Sequence, residues 1–275
     1  APLRDIAALA TRIEATDLSR RLNPASEKDE LSSLSATFDR MLDRLQAAFE
    51  RQRRFTADAS HELRAPLSVI RAESDLALRR ARTNDEYVRA LETIALEADQ
   101  LEELIDDLLA LARAEGGPPQ VETAVDVGPL VADAASRLSA VGEARGVRVE
   151  PAIANGAYVK GDPIALARVP LALVHNGVKY ARSGGCVRVT LGHDNGTVHL
   201  VVEDDGPGFT SDALRRATER FWRDDIGRGR DGSGLGLSIV RAIVEQSGGE
   251  MQLANAPGSG AQVSVRFPAV DDPRN

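Results

Sequence analysis

The chain has 275 residues, 43% of them hydrophobic and 28% charged, with a formal net charge of -8. That length allows more than one compact unit, and the acidic balance argues against a nucleic-acid binder, which needs a broad cationic surface. The single cysteine, Cys186, excludes an intrachain disulfide framework and fits a reducing cytosol. No apolar run approaches the roughly 18 residues that span a bilayer, and no signal peptide opens the chain. Because residue 1 falls at the start of a helical pattern, a membrane anchor is expected upstream.

The first stretch predicts two helices. Leu3, Ile6, Ala10 and Ile13 alternate steps of three and four, as do Leu31, Leu34, Phe38, Met41 and Leu45. Such narrow seams suit a coiled coil rather than a broad globular face. Between them, Pro24 biases Asn23 away from the helical region, so residues 22–26 break the helix.

The second helix carries no stop signal, and its seam runs on through Ala48, Phe55 and Ala59 before shifting to Leu63, Pro66 and Ile70. That shift is a stutter, which locally unwinds a coiled coil. The helix is expected to end near Thr83-Asn84-Asp85, where Thr83 caps a new helix and Glu86 supports its start. The new helix has the cleanest period in the chain: Tyr87, Leu91, Ile94, Ala98, Leu101, Ile105, Leu108 and Ala112. Two such hairpins predict a dimeric four-helix bundle. Gly116-Gly117-Pro118-Pro119 then ends the helical half as a linker.

From about Val121 the pattern becomes mixed α/β. Val187, Val189 and Leu191 alternate with Arg188 and Thr190, Asn195-Gly196 makes a hairpin turn, and Val198, Leu200 and Val202 form the return strand. Helices are predicted around 129–144, 163–181 and 235–247, and late strands near 250–255 and 261–267. An antiparallel or mixed sheet covered on one face by helices follows.

Phe55-Thr56-Ala57-Asp58-Ala59-Ser60-His61-Glu62-Leu63-Arg64-Ala65-Pro66-Leu67 is the most informative segment. At about 100° per residue, His61 lies roughly 160° from Leu63 and 180° from Ile70, facing away from the seam. An exposed neutral imidazole offers a lone pair to phosphorus, while Glu62 takes or holds the proton of the other ring nitrogen. Taken alone, such a histidine is more often a surface residue of no consequence. The whole run, however, resembles the H-box of HisKA-type sensor histidine kinases, and Pro66 weakens the helix just after His61 so that it can bend. Ala65 departs from the family pattern. Many relatives carry Thr or Asn there, thought to orient the water that dephosphorylates the partner, so weak phosphatase activity beside intact kinase chemistry is expected.

The first stretch resembles a HAMP signal-relay domain through Pro2, Asp29-Glu30-Leu31 and Phe38-Asp39-Arg40-Met41-Leu42, with a generic helical hairpin as the alternative. Three further motifs resemble the ATP-binding domain of the GHKL superfamily. Asn176-Gly177-Val178-Lys179-Tyr180 is similar to the end of its N-box. The resemblance makes Asn176 an oxygen ligand for Mg²⁺, Lys179 a phosphate contact and Tyr180 a neighbour of the base. Ala172, His175 and Gly177 depart from that box, and the first two bear on Mg²⁺ binding. Asp204-Asp205-Gly206-Pro207-Gly208 follows a strand; Asp204 then accepts the exocyclic amine of adenine, and Gly206 and Gly208 allow close backbone approach. An ordinary β-turn uses the same residue types. Gly232, Gly234, Leu235, Gly236 and Leu237 form a glycine-rich loop opening a helix, where free N–H groups favour phosphate. Phe221-Trp222-Arg223 resembles the F-box, and Arg228, Gly229 and Arg230 lie in a polar stretch expected to form a mobile lid. Gly258 and Gly260 fit the closing strand region.

The resemblance implies an all-α coiled-coil and four-helix-bundle dimer followed by an α/β sandwich of the GHKL, Bergerat type. The implied domains are a HAMP-like relay at 1–48, a dimerisation and phosphotransfer domain at 49–115, a linker at 116–120, an ATP-binding domain at 121–270 and a tail at 271–275. It implies a protein-histidine kinase that uses ATP and Mg²⁺ to phosphorylate His61 and passes the phosphoryl group to an aspartate of a response regulator. The chain is then the cytoplasmic portion of a homodimeric cell-membrane protein. Two rivals stay open: a GHKL ATPase of the chaperone or topoisomerase kind, which gives no reason for the histidine segment, and a nonenzymatic scaffold, which Ala172 and His175 keep in play.

Overall fold

The computed structural model describes residues 30–79, 82–116, 122–224, 232–256 and 260–273. The seams and break proposed within residues 1–29, the linker residues after Gly116, the arginines at 228 and 230 and Gly258 lie outside them. The chain divides into two compact units, Ala1–Arg64 and Ala65–Asn275.

Helix α1 is Glu30–Arg79 and passes Pro66 without a break. In its first half Leu42 is buried, whereas Met41 is 53% exposed and Leu45 is also open. A coiled-coil seam is covered by the helices of an assembly, so in one chain those two seam residues remain open. Helix α2, Asn84–Glu115, begins where predicted. Thr83 is its N-cap in a full capping box: the Glu86 N–H donates to the Thr83 hydroxyl, and the Glu86 carboxylate accepts the Thr83 N–H at 2.9 Å. Such a cap stabilises a helix by about 1 kcal/mol.

The face that α2 buries differs from the expected stripe. Leu91 is 64% exposed and Ile105 is open, while Ala90, Leu104, Ala110 and Leu111 are buried. Helix α2 packs on the late helix α6, Gly236–Gln246, and along the regular apolar stripe Ile94, Leu101 and Leu108 are half-buried while Leu91 and Ile105 stay exposed. Periodicity finds an apolar stripe but does not say which partner covers it.

The α/β portion begins with β1, Thr123–Asp126, followed by α3, Val127–Ala144, which Asp126 caps by accepting the Gly128 N–H. Then come β2, Arg148–Ile153, and β3, Tyr158–Gly161. Helix α4, Pro163–Tyr180, starts with Asp162 as N-cap and a proline in its first turn, where the missing N–H costs nothing. Strands β4, Cys186–Asp194, and β5, Thr197–Asp204, form the predicted hairpin. Its turn holds Asn195 at φ 45 and Gly196 at φ 76, the positive values an Asn-Gly turn requires. A short α5, Ser211–Arg216, precedes α6, and β6, Glu250–Asn255, pairs with β7, Ala261–Pro268.

Five strands form a mixed sheet in the order β2-β4-β5-β7-β6, parallel only at β2–β4. Strands β1 and β3 make a separate antiparallel pair. Val187, Val189, Leu191, Val198, Leu200, Val202, Val265 and Phe267 turn to the buried face, while Arg188 and Thr190 face outward. Leu166, Val169 and Leu173 of α4 and Ile239, Val240 and Ile243 of α6 are buried as well. Each such side chain contributes roughly 1.5–3 kcal/mol of transfer free energy.

Candidate functional site

Registry within the sheet collects the candidate residues. The end of β5 lies opposite the starts of β4 and β7, and the end of β6 lies opposite the start of β7. Asp204, Asn255 and Ala261 therefore share one end of the sheet, and the C-terminal turns of α4 reach the same end. There the Tyr180 carbonyl lies directly against Gly206, leaving no room for a Cβ.

The Asp204 carboxylate is fixed by the backbone. Its Oδ1 accepts the Gly206 N–H at 2.8 Å and the Ala261 N–H at 3.1 Å. Burial pushes its pKa above the usual carboxylate range, and those two N–H bonds work against that rise. With Oδ1 held, Oδ2 is the acceptor that can meet a ligand donor. Gly208 has φ 75 and presses on Asn255, so a side chain there would be both strained and blocked. Asn255 clamps the same turn: its Oδ1 accepts the Phe209 N–H at 2.6 Å and its Nδ2 donates to the Phe209 carbonyl at 3.0 Å. Asp205 braces the neighbouring loop by accepting the N–H groups of Arg182 and Cys186.

The glycine-rich loop meets the helix that carries Asn176. A Cβ on Gly232 would stand 2.8 Å from the Lys179 Nζ, and one on Gly236 would stand 3.8 Å from the Asn176 Nδ2. A Cβ on Gly234, at φ 72, would strike the backbone of Phe221 and Trp222 at 2.9 Å. Phe221 itself takes φ 59, a conformation a bulky side chain adopts only when its surroundings impose it. Leu235 is buried at the N-cap of α6, and no side chain there caps the helix. The Leu235 N–H donates to the Ser233 hydroxyl, and the Ser238 hydroxyl donates to the Leu235 carbonyl. Gly236 and Leu237 open α6 itself. The Lys179 ammonium stands 5.0 Å from the centroid of the Tyr180 ring, a cation–π contact.

The structure thus brings Asn176, Lys179, Tyr180, Asp204, Gly206, Gly208 and Gly232 through Leu237 to one region. Among the described residues no group of three His, Cys, Asp or Glu side chains could cage a metal ion. One amide oxygen suits Mg²⁺, which keeps waters and takes most of its ligands from phosphates. His61 and Glu62 belong to the other compact unit, within α1; His61 is exposed and Glu62 half-buried, while Leu63 and Ile70 are half-buried.

Sequence reasoning missed Asp107, Ser233 as a side-chain donor, Asp205 and Asn255. Each acts through a partner at least 19 residues away, so no local spacing betrays it.

Comparison with known proteins agrees with this organisation. Residues 161–271 match the histidine kinase-, DNA gyrase B-, and HSP90-like ATPase family, residues 51–117 the His Kinase A (phospho-acceptor) domain, and residues 1–47 the HAMP domain. The chain is 33% identical over 99% of its length to the signal transduction histidine-protein kinase BaeS of Escherichia coli, covering 58% of that protein. It is 34% identical over 97% of its length to the sensor protein CutS of Streptomyces coelicolor, covering 65% of it. The structure of full-length ShkA in complex with AMPPNP superposes with a TM-score of 0.59 at 26% identity, over 79% of this chain and 46% of that one. The chain joins a phospho-acceptor region to an α/β ATPase domain, and it belongs to the sensor histidine kinases of two-component systems.

Proposed function

We propose that the chain uses ATP to phosphorylate its own His61 and then passes the phosphoryl group to an aspartate of a response regulator. The observation that carries this reading is the meeting of four segments distant in sequence: Asn176–Tyr180, Asp204–Gly208, the loop from Gly232, and the start of β7, whose Ala261 N–H holds Asp204.

In this reading the Asp204 Oδ2 accepts the exocyclic amine of adenine and so selects ATP over GTP. Lys179 and the Gly232–Leu237 loop, through backbone N–H groups other than that of Leu235, hold the phosphates, and Tyr180 packs beside the base. Asn176 would hold Mg²⁺ through its amide oxygen, and the ion would supply charge neutralisation on the triphosphate. The lone pair of one His61 ring nitrogen attacks the γ-phosphorus, the bond to the β-phosphate oxygen breaks, and ADP leaves. Glu62 takes the proton from the other ring nitrogen. In the second step a regulator carboxylate attacks phosphorus and the P–N bond breaks.

The exposed α2 stripe through Leu91 and Ile105 supports a second copy of the chain as the partner that completes a four-helix bundle. The chain spans 58% and 65% of the length of BaeS and CutS, and no helix among the described residues is long and apolar enough to cross a membrane. We place it as the cytoplasmic portion of a membrane-anchored sensor, with residues 1–48 as the relay, 49–115 as the phosphotransfer domain, 116–120 as the linker and 121–270 as the ATP-binding domain.

Incubation with γ-labelled ATP should leave acid-labile label on the wild-type chain and none on His61→Ala. Label on both proteins would remove His61 as acceptor. ATP hydrolysis with no phosphoprotein would instead favour a GHKL ATPase of another kind, and absence of Mg-ATP binding in calorimetry would favour a scaffold.

A further inference from the structure

Helix α2 carries Glu103, Asp107, Leu111 and Glu115 at successive four-residue steps, which places them along one side of the helix. Leu111 is 1% exposed, so this side is packed. Beside it, the Asp107 Oδ2 accepts the Ser233 hydroxyl at 2.9 Å, and Asp107 Oδ1 lies 3.9 Å from an Arg168 guanidinium nitrogen. Glu115 pairs with Arg220, the residue before Phe221. A carboxylate 126 residues away in sequence thus stands at the glycine-rich loop, between Gly232, which abuts Lys179, and Gly234, which abuts Phe221 and Trp222.

Two effects of Asp107 oppose each other. Its hydrogen bond orders Ser233, which also receives the Leu235 N–H at 3.2 Å. Its negative charge stands beside Ser233, in the loop proposed above to hold the phosphates. Arg168 at 3.9 Å is too distant for a close hydrogen-bonded pair, and both side chains remain about 30% exposed, so neutralisation is partial. Like charges at short range, away from full solvation, outweigh one hydrogen bond to a neutral hydroxyl. Burial also pushes the Asp107 pKa upward, the Ser233 and Arg168 contacts opposing that rise, which marks the site as one that disfavours negative charge.

We propose that Asp107 is a positioning residue that sets nucleotide affinity through Ser233: while α2 lies on the loop, its carboxylate holds the Ser233 hydroxyl and opposes the incoming triphosphate. Withdrawing α2 from the loop raises affinity, and by linkage a bound nucleotide loosens α2. A signal arriving along the helices thereby changes occupancy of the pocket without touching the base-binding end. The inference rests on the reading of the pocket as an ATP site.

The test is calorimetric titration of the whole chain with the non-hydrolysable analogue AMPPNP and Mg²⁺. Asp107→Asn keeps the shape and the acceptor for Ser233 but removes the charge; it should bind about tenfold more tightly, equivalent to about 1.4 kcal/mol. The gain should shrink as salt is raised from 0.1 M towards 0.5 M, which a purely structural role would not produce. Arg168→Gln should weaken binding several-fold in the wild-type background and have no effect when combined with Asp107→Asn. Unchanged or weaker binding by Asp107→Asn, a gain indifferent to salt, or an equal loss from Arg168→Gln in both backgrounds would each overturn the proposal while leaving the ATP site intact. A wild-type chain that binds no AMPPNP would overturn the ATP reading and this inference with it.

Discussion

Gly177 stands so close to Val187 that a methyl group built on it would lie 2.7 Å from the valine Cγ1. Val187 is fully buried in β4, so α4 can lie this near the sheet only because the residue facing it has no side chain. Gly177→Ala gains up to about 1 kcal/mol of helix propensity but overpacks the core, which costs typically 1–3 kcal/mol. The expected result is a net loss of about 1 kcal/mol in chemical denaturation. Combining it with Val187→Ala should give less destabilisation than the two separate losses add to, because the deleted methyl groups make the space.

Asp204→Asn should preserve the fold, since the Asn Oδ1 can still accept the N–H groups of Gly206 and Ala261. That anchoring turns an amide NH₂ towards the position proposed for the adenine amine, setting donor against donor. ATP affinity should fall at least tenfold, in line with about 1–3 kcal/mol for an unsatisfied buried polar group. Titration with ATP checks this, and circular dichroism checks the fold.

Ala65 follows His61 by four residues on α1 and is exposed. On the family resemblance, a hydroxyl at this position would orient the water that attacks the phosphorylated regulator. Ala65→Thr should raise the dephosphorylation rate of that partner several-fold and leave autophosphorylation within about twofold. A partner stripped equally fast by both proteins would contradict this.

Burial raises the Asp107 pKa in the folded chain, so the folded state favours its protonated form and pays a desolvation cost once the group ionises. The stability linked to this group is fully present at acid pH and is lost as pH rises through the folded pKa. In the nucleotide-free chain, Asp107→Asn should therefore melt higher than wild type at neutral pH. The gap should close as pH is lowered through the carboxylate range. Melting curves at several pH values, run on both proteins, give the comparison.

Much of the architecture was legible from local pattern. The Thr83 cap, the Asn195-Gly196 hairpin and the helices at 127–144, 163–180 and 236–246 depend on nearest neighbours or on periods of two and 3.6, and they stand where the pattern put them. Strands β1, β2 and β3 escaped notice. They are short, and Pro151, Ala152 and Gly161 give them little alternation to detect. Gly206 announced close backbone approach and the glycines at 232, 234 and 236 a loop opening a helix, but not that they would meet Tyr180, Lys179, Phe221 and Asn176.

The sequence by itself determined which residues could form helices and strands, because these follow from side-chain type and short-range spacing, and its resemblance to a known family named the residues proposed for phosphate, adenine and phosphoacceptor chemistry. Only the tertiary structure decided which apolar side of α2 is covered, that Gly177 lies against Val187, and that Asp107 stands against Ser233. Those outcomes depend on where one element lies against another, and a packing distance of a few ångströms between segments 10 to 126 residues apart leaves no trace in local composition.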